Sequence, residues 1–358
     1  MTAAGSRKRK PVNLALQGGG AHGAFTWGVL DRLLEDERIE IEAISGTSAG
    51  AMNAVVVADG IMRAGNEGAR DCLARFWKAV SEAARFSPIQ RSPIDMFMGN
   101  WSLDASPAYL WMDLLNRVAS PYELNPLNLN PLRDLIEETV DFDTVRGCDK
   151  MKIFVSATNV ETGRVRVFER TSLTPDMVMA SACLPLMFQA VEIDGVPYWD
   201  GGFMGNPVLF PFFRGCSSRD VVIVQINPVQ RPGVPRTARE ILNRVNEITF
   251  NSSLLREFRA IEFVGRLLDE GKLDPKVYKD MLVHRIEAEE DLKPLGASSK
   301  LNAEWAFLEH LFEVGRRAAS NWLDAHGEDL GRRSTLDIRA MFHGPEARAD
   351  AKAAAAAD

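Results

Sequence analysis

The fold is decided by a stretch that reads Ile41-Glu42-Ala43-Ile44-Ser45-Gly46-Thr47-Ser48-Ala49-Gly50. It predicts a short apolar strand that runs directly into G-x-S-x-G, and residues 49–57 after it favour a helix. Gly46 and Gly50 allow the strand and the helix to approach closely, and the amino end of the helix places positive partial charge beside the Ser48 hydroxyl. This context is typical of a nucleophilic serine, although a glycine-rich turn without chemistry shows the same pattern.

The residues before this stretch extend the same alternation of strand and helix. An apolar run at 12–17 predicts a first strand, the glycine loop 18–23 follows, and apolar residues at helical spacing predict a helix over 24–34. A second strand at 39–44 then leads to Ser48. We therefore expect an α/β fold, with a mostly parallel sheet sandwiched by helices.

Two interpretations of the glycine loop compete. Gly18-x-Gly20-x-x-Gly23 matches a dinucleotide-binding pattern, which also needs an acidic residue where the second strand ends. Glu40 and Glu42 lie near the right spacing, but the strand continues past both and turns at Ser48. We favour an oxyanion hole, in which the backbone N–H groups of Gly18, Gly19 and Gly20 converge on one oxygen.

A serine nucleophile needs a base, and Asp200 is the best-framed candidate. A β-hairpin is predicted around Asp194-Gly195, and its second arm ends in Asp200-Gly201-Gly202. A carboxylate at a rigid strand end can take a proton directly from Ser48, although an aspartate before two glycines can also merely cap a turn. None of the five histidines lies at a strand end followed by a glycine turn, so the sequence does not support a Ser-His-Asp triad, although it does not exclude one. The histidines are His22, His284, His310, His326 and His343.

Composition limits the remaining function classes. A formal net charge of −7 argues against a nucleic-acid partner. Four scattered cysteines predict reduced thiols, and no signal peptide or membrane span is evident, so we expect a cytoplasmic chain. Peripheral contact with the inner face of the membrane stays open, because the tail carries the basic run at 7–10.

The expected domain organisation is a basic tail over 1–10, a catalytic domain over 11–230, a helical region over 231–343 packed on the same domain, and an alanine-rich tail over 344–358. Long helices are predicted over 237–268 and 298–326. The proline-rich segment 88–130 is either an irregular insertion packed on the core or a cap whose Met and aromatic side chains accept acyl chains.

Taken together, the glycine loop, the serine motif and Asp200-Gly201-Gly202 resemble the patatin-like phospholipase family over residues 12–227. The resemblance implies Ser48 as nucleophile, Asp200 as its base, and the first glycines of the loop as the oxyanion hole. The supporting motif positions are His22, Gly23, Gly46, Gly50, Gly201 and Gly202, and Ala180–Pro185 matches a further segment of the family. No metal or cofactor is implied, and no metal-ligand cluster is evident.

The resemblance implies a serine acyl hydrolase that cleaves lipid carboxyl esters, of the phospholipase A or lysophospholipase type. An esterase, a polyhydroxyalkanoate depolymerase or an acyltransferase would use the same dyad. A dinucleotide-binding protein and a non-catalytic lipid-surface protein remain as rivals from other classes. His22 replaces the usual Arg or Lys of the family, and we expect its titration to make activity depend steeply on pH near neutrality. The oligomeric state is not predicted.

Overall fold

A computed structural model describes residues 9–343 of the chain, so most of the basic tail and the whole alanine-rich tail lie outside the described residues. Its centre is an eight-stranded sheet of order β5-β6-β3-β2-β1-β7-β8, in which β4 also pairs with β3. The strands are β1 (Lys10–Leu16), β2 (Ile39–Gly46), β3 (Lys152–Asn159), β4 (Val165–Glu169), β5 (Val191–Ile193), β6 (Val196–Asp200), β7 (Asp220–Val224) and β8 (Leu282–Ile286).

The middle of the sheet is parallel. Strand β1 lies between β2 and β7, β2 pairs with β3, and β7 pairs with β8, all in parallel register. Strands β4, β5 and β6 add antiparallel pairs at one side. The prediction of an α/β fold with a mostly parallel sheet is confirmed.

Helices cover both faces of the sheet. They are α1 (Gly23–Glu35), α2 (Ala49–Ala84), α3 (Pro93–Phe97), α4 (Pro107–Leu115), α5 (Pro121–Leu124), α6 (Pro131–Thr139), α7 (Phe142–Gly147), α8 (Pro175–Ser181), α9 (Phe210–Gly215), α10 (Ala238–Asp269), α11 (Glu289–Leu292), α12 (Trp305–His326) and α13 (Ile338–His343). Leu14 and Leu16 of β1 join the cluster that contains α1, α2 and α12, whereas Ala15 joins the cluster with α9 and α10. This alternation is what a strand with both faces buried requires.

Helices α1 and α12 cross at close range because each supplies a glycine. A Cβ atom on Gly28 would lie 2.0 Å from the Phe312 carbonyl oxygen, and one on Gly315 would lie 2.1 Å from that of Phe25. Helix α12 also buries Phe307, Leu308 and Leu311 in the core, so it fixes the C-terminal region against the glycine-loop helix.

Several element boundaries differ from the predictions. Lys10 pairs with Ile39 in the sheet rather than belonging to a tail. Strand β8 lies inside the region predicted to be helical, and the helix predicted over 298–326 is a 3-10 turn (Ser298–Leu301) followed by α12. The helix predicted over 49–57 extends to Ala84 as α2, and its backbone breaks at Ala64 and Gly65.

The proline-rich segment 88–130 forms α3, α4 and α5, and it is anchored at its start. The Arg91 guanidinium donates to both Glu304 carboxylate oxygens at 2.7 Å, and the Trp101 ring lies 5.1 Å from that of Phe307. Large apolar side chains between and beyond these anchors face solvent, with Phe97 90% exposed and Trp111 62% exposed. Within residues 9–343, no helix is both long and apolar enough to cross a membrane.

Candidate active site

Ser48 occupies a strained turn between β2 and α2. Its φ of 54° and ψ of −121° lie outside the regions that most residues with a side chain adopt. The Ser181 hydroxyl accepts a hydrogen bond from the Ser48 N–H at 2.8 Å, and Thr47 Oγ1 donates to the Gly205 carbonyl at 2.7 Å. The turn is thus held from both sides, and its geometry presents the Ser48 side chain at the end of the sheet.

The topology of the sheet brings Asp200 to the same place. Strand β3 pairs with β2 up to Gly46 opposite Val155, and then with β6, where Asp200 lies opposite Ala157. Two residues along a strand span about 7 Å. Strand β6 therefore takes over from β2 along β3, and its last residue lies beside the turn that carries Ser48.

Asp200 is 1% exposed, and its carboxylate accepts a short hydrogen bond from the backbone. Its Oδ1 accepts from the Gly202 N–H at 2.6 Å, and the Ser48 hydroxyl lies close enough to the same carboxylate to lower its pKa. The pKa of Asp200 is raised from 3.8 to about 7 by burial, against the opposing effects of the Gly202 N–H, the Ser48 hydroxyl and the positive charge of Lys300. A carboxylate with a pKa near neutrality beside a serine hydroxyl is suited to accept the proton of that hydroxyl.

The glycine loop lies against Ser48, but its three amides differ. The Gly18 N–H donates to Asn206 Oδ1 at 2.7 Å, and a Cβ atom on Gly18 would lie 2.8 Å from that of Ser48. Within the described residues, the N–H groups of Gly19 and Gly20 donate to no acceptor. The loop therefore offers two unengaged amide donors near Ser48, whereas the Gly18 amide is engaged.

The supporting glycines are all tightly packed. A Cβ atom on any of these glycines would lie only 2.1 to 2.6 Å from an atom of another residue. The glycines are Gly23, Gly46, Gly50, Gly201 and Gly202. At Gly50 that atom is the Leu16 carbonyl oxygen, and at Gly201 it is the Ser156 carbonyl oxygen. These positions let α2 and the segment after β6 approach the strand ends.

His22 does not face the site as a titratable cation, and the expected role of its titration is wrong. The side chain is buried, and its Nε2 lies 2.8 Å from the Ser299 hydroxyl. Burial, and to a lesser extent the charge of Lys300, lowers the pKa of His22 to about 3. The imidazole is therefore neutral throughout the neutral range, because its surroundings exclude water.

The other described histidine side chains are engaged away from Ser48. His284 Nε2 lies 2.9 Å from Asp220 Oδ1 at the first residue of β7, the opposite end of the sheet. His310 stacks on Trp101, and His326 pairs with Asp329. The His343 side chain lies outside the described ones. Among the histidines whose side chains are described, none accompanies Ser48 as a triad would require.

The acidic residues that a dinucleotide site would need are also elsewhere. Glu40 is exposed near the start of β2, and the Glu42 carboxylate accepts hydrogen bonds from the Ser217 and Ser218 N–H groups. Neither lies at the carboxyl end of β2, where a ribose would be held. Within residues 9–343, no group of three or more His, Cys, Asp or Glu residues is arranged to hold a metal ion.

Three residues at the site were not predicted. Asn206 accepts from Gly18, Asn227 donates from Nδ2 to the Gly18 carbonyl at 2.8 Å, and Lys300 donates to Asn227 Oδ1 at 2.7 Å. Asn227 follows β7 at the carboxyl edge of the sheet, a position where polar residues often bind ligands, so its placement was open to prediction. Lys300 stands in no motif and carries no such signal.

Comparison with known proteins gives a consistent result for the first part of the chain. A family model described as patatin-like phospholipase matches residues 14–213. No curated protein matches the chain.

Among solved structures, VipD from Legionella pneumophila is 15% identical, with a TM-score of 0.36 and coverage of 87% of this chain and 69% of VipD. The type III effector protein ExoU is also 15% identical, with a TM-score of 0.37 and coverage of 88% of this chain. The match spans 53% of the ExoU chain, about half its length.

Proposed function

Since the chain belongs to the patatin-like phospholipase family, we propose that it is a serine acyl hydrolase that cleaves carboxyl esters of lipids with Ser48 and Asp200. The observation that carries the proposal is the placement of the Ser48 hydroxyl, at a strained turn beside the unengaged amides of Gly19 and Gly20, close enough to the buried Asp200 carboxylate to lower its pKa.

In the acylation step, Ser48 Oγ attacks the ester carbonyl carbon and its proton passes to the Asp200 carboxylate. The carbonyl oxygen becomes an oxyanion that the Gly19 and Gly20 N–H groups stabilise; one such donor is worth about 10²–10³ in kcat. The C–O bond to the alcohol then breaks, and protonated Asp200 returns the proton to the leaving oxygen.

In the deacylation step, water attacks the acyl-Ser48 ester while Asp200 accepts a proton from that water. Collapse of the second tetrahedral intermediate releases the fatty acid and returns the proton to Ser48 Oγ. The same residue thus serves as base and acid in turn, which a pKa near 7 favours.

The exposed apolar side chains of segment 88–130 support a lipid surface as the place of reaction. Phe97 and Trp111 present apolar area to solvent on a segment whose Arg91 and Trp101 are anchored to the C-terminal region. Exposed apolar patches are costly in water and mark contact surfaces. Ser48 is only 9% exposed, so we expect contact with lipid to widen access to it.

Turnover by matched variants tests this function. Wild type, Ser48→Ala and Asp200→Asn are assayed on phospholipid vesicles and on a short-chain p-nitrophenyl ester. Ser252→Ala and Asp176→Asn serve as controls on another serine and on a partly exposed aspartate. Loss of both activities in the dyad variants alone supports the proposal. Turnover that survives in Ser48→Ala refutes it.

A substrate panel separates the related activities that use the same dyad. Preference for phospholipid vesicles supports lipid hydrolysis, whereas preference for soluble esters or polyhydroxyalkanoate granules supports an esterase or a depolymerase. Acyl transfer to an added alcohol in preference to water supports an acyltransferase.

A further inference from the structure

Lys300 reaches the candidate site from the C-terminal region, outside the residues 14–213 that the family model matches. It belongs to the 3-10 turn Ser298–Leu301, whose backbone packs on the glycine loop: a Cβ atom on Gly20 would lie 2.5 Å from the Lys300 carbonyl oxygen. Its position therefore depends on the same loop that offers the unengaged amides.

The Lys300 ammonium group is held at a defined point. It donates to Asn227 Oδ1 at 2.7 Å, and Asn227 in turn donates to the Gly18 carbonyl oxygen. The ammonium also lies 5.9 Å from the centre of the Phe250 ring, which packs where a Cβ atom on Gly202 would lie. Lys300 thus contacts the neighbours of both dyad residues. Asn227 connects it to Gly18 beside Ser48, and Phe250 connects it to Gly202 beside Asp200.

The charges that face Lys300 come from three other segments. Asp200 and Glu247 of α10 stabilise the ammonium, whereas Arg231 opposes it. Burial is the largest effect and lowers the pKa of Lys300, as expected for a cation taken out of water. A buried ammonium near a buried carboxylate interacts more strongly than a pair at the surface.

We propose that Lys300 is a positioning residue of the dyad, whose ammonium stabilises the Asp200 carboxylate while its bond to Asn227 fixes the glycine loop. The proposal rests on the function proposed above. The structural alternative is that Lys300 only ties the 3-10 turn to Asn227, in which case its charge has no effect on Asp200.

The sign of the effect follows from the groups around Asp200. The positive charge of Lys300 lowers the pKa of Asp200, so a neutral side chain at position 300 raises it. The other neighbours do not compensate: burial raises the pKa of the Cys183 thiol to about 12, and His22 is neutral above its pKa of about 3. Because Asp200 must be ionised to act as the base, the acidic limb of the activity profile should move to higher pH.

The experiment compares kcat/KM for a short-chain ester from about pH 5 to about pH 9. Lys300→Gln keeps an N–H donor for Asn227 without the charge, Lys300→Met removes both, and Lys300→Arg keeps the charge. Lys293→Met is the matched control, because the Lys293 side chain is 32% exposed and pairs with Glu289. Thermal unfolding of each variant is followed in parallel.

We expect Lys300→Gln to lose several-fold more activity at about pH 6 than at about pH 9, because the acidic limb of its kcat/KM profile lies at higher pH. Lys300→Arg should return the acidic limb to its wild-type position. An unchanged limb in Lys300→Gln, or an equal loss at every pH, overturns the proposal. Should Lys300→Met not fold, the Gln and Arg variants still decide. If wild type turns over no ester at all, the proposed function fails instead, and the two failures are distinct.

Discussion

Replacing the buried Asp200 by Asn should abolish turnover and yet stabilise the protein at alkaline pH. In the folded chain burial raises the pKa of Asp200 from 3.8 to about 7. A raised carboxyl pKa means that the folded state holds the proton more tightly than the unfolded state. Proton binding at Asp200 therefore stabilises the folded state. This stabilisation is fully present below pH 3.8, the pKa of the unfolded state, and is lost as the pH rises through 7.

The magnitude follows from that difference in pKa. Each unit corresponds to about 1.4 kcal/mol, so the ionised Asp200 costs about 4 kcal/mol of the free energy of unfolding above pH 7. The pKa already contains the effects of Lys300 and of the Gly202 N–H, and an Asn amide oxygen can still accept from Gly202. Asp200→Asn should therefore gain stability at about pH 8.5 and little at about pH 4.

Urea unfolding followed by circular dichroism, at both pH values, measures this gain. Asp176→Asn serves as the control, because Asp176 is a partly exposed partner of Arg133 and should show almost no difference between the two pH values. The reasoning is refuted if Asp200→Asn is no more stable than wild type at about pH 8.5, or if its gain is the same at both pH values.

Three further outcomes are expected. Gly20→Ala should lower kcat about 10²-fold or more, since Gly20 has a φ of 58° and a Cβ there would lie 2.5 Å from the Lys300 carbonyl oxygen, which would displace the Gly20 amide. Gly19 has an extended φ of 177°, so Gly19→Ala should keep more activity. Equal losses of ester turnover in the two variants would contradict this difference. His22→Gln should leave the pH profile of kcat/KM unchanged above about pH 5, because the imidazole is already neutral there, and a moved limb would contradict the assigned pKa. A double change of Phe97 and Trp111 to Ser should reduce hydrolysis and sedimentation with phospholipid vesicles and leave soluble-ester turnover intact; loss of both activities together would indicate a folding role instead.

The local elements around Ser48 could be predicted because their signals lie within a few residues of each other. Strand, glycine turn and helix follow in order at Ile39–Gly46 and Ala49–Ala84, and the hairpin before Asp200 has positive φ angles at Asp194 and Gly195 as its Asp-Gly pair requires. That Asp200 lies beside Ser48 depends on β6 replacing β2 along β3, which no local pattern states.

The features that were missed depend on contacts between distant segments. Strand β8 contains His284 and Arg285, which interrupt its apolar pattern, and it is recognisable only once it pairs with β7. His22 is neutral because Ser299 and Phe307 of the C-terminal region enclose it. Lys300 lies against Gly20 because the C-terminal region packs on the glycine loop. It is 100 positions from Asp200 in the chain, so no local pattern could predict that the two lie at one site.

The central claim is that Ser48 is a nucleophile activated by Asp200, and covalent labelling tests it most directly. Wild type, Ser48→Ala and Asp200→Asn are treated with a fluorescent fluorophosphonate, with and without phospholipid vesicles, and the labelled peptide is identified by mass spectrometry. We predict a single adduct on Ser48 in wild type, none in Ser48→Ala, and strongly slowed labelling in Asp200→Asn. An adduct on another residue, or undiminished labelling of Asp200→Asn, would contradict the dyad.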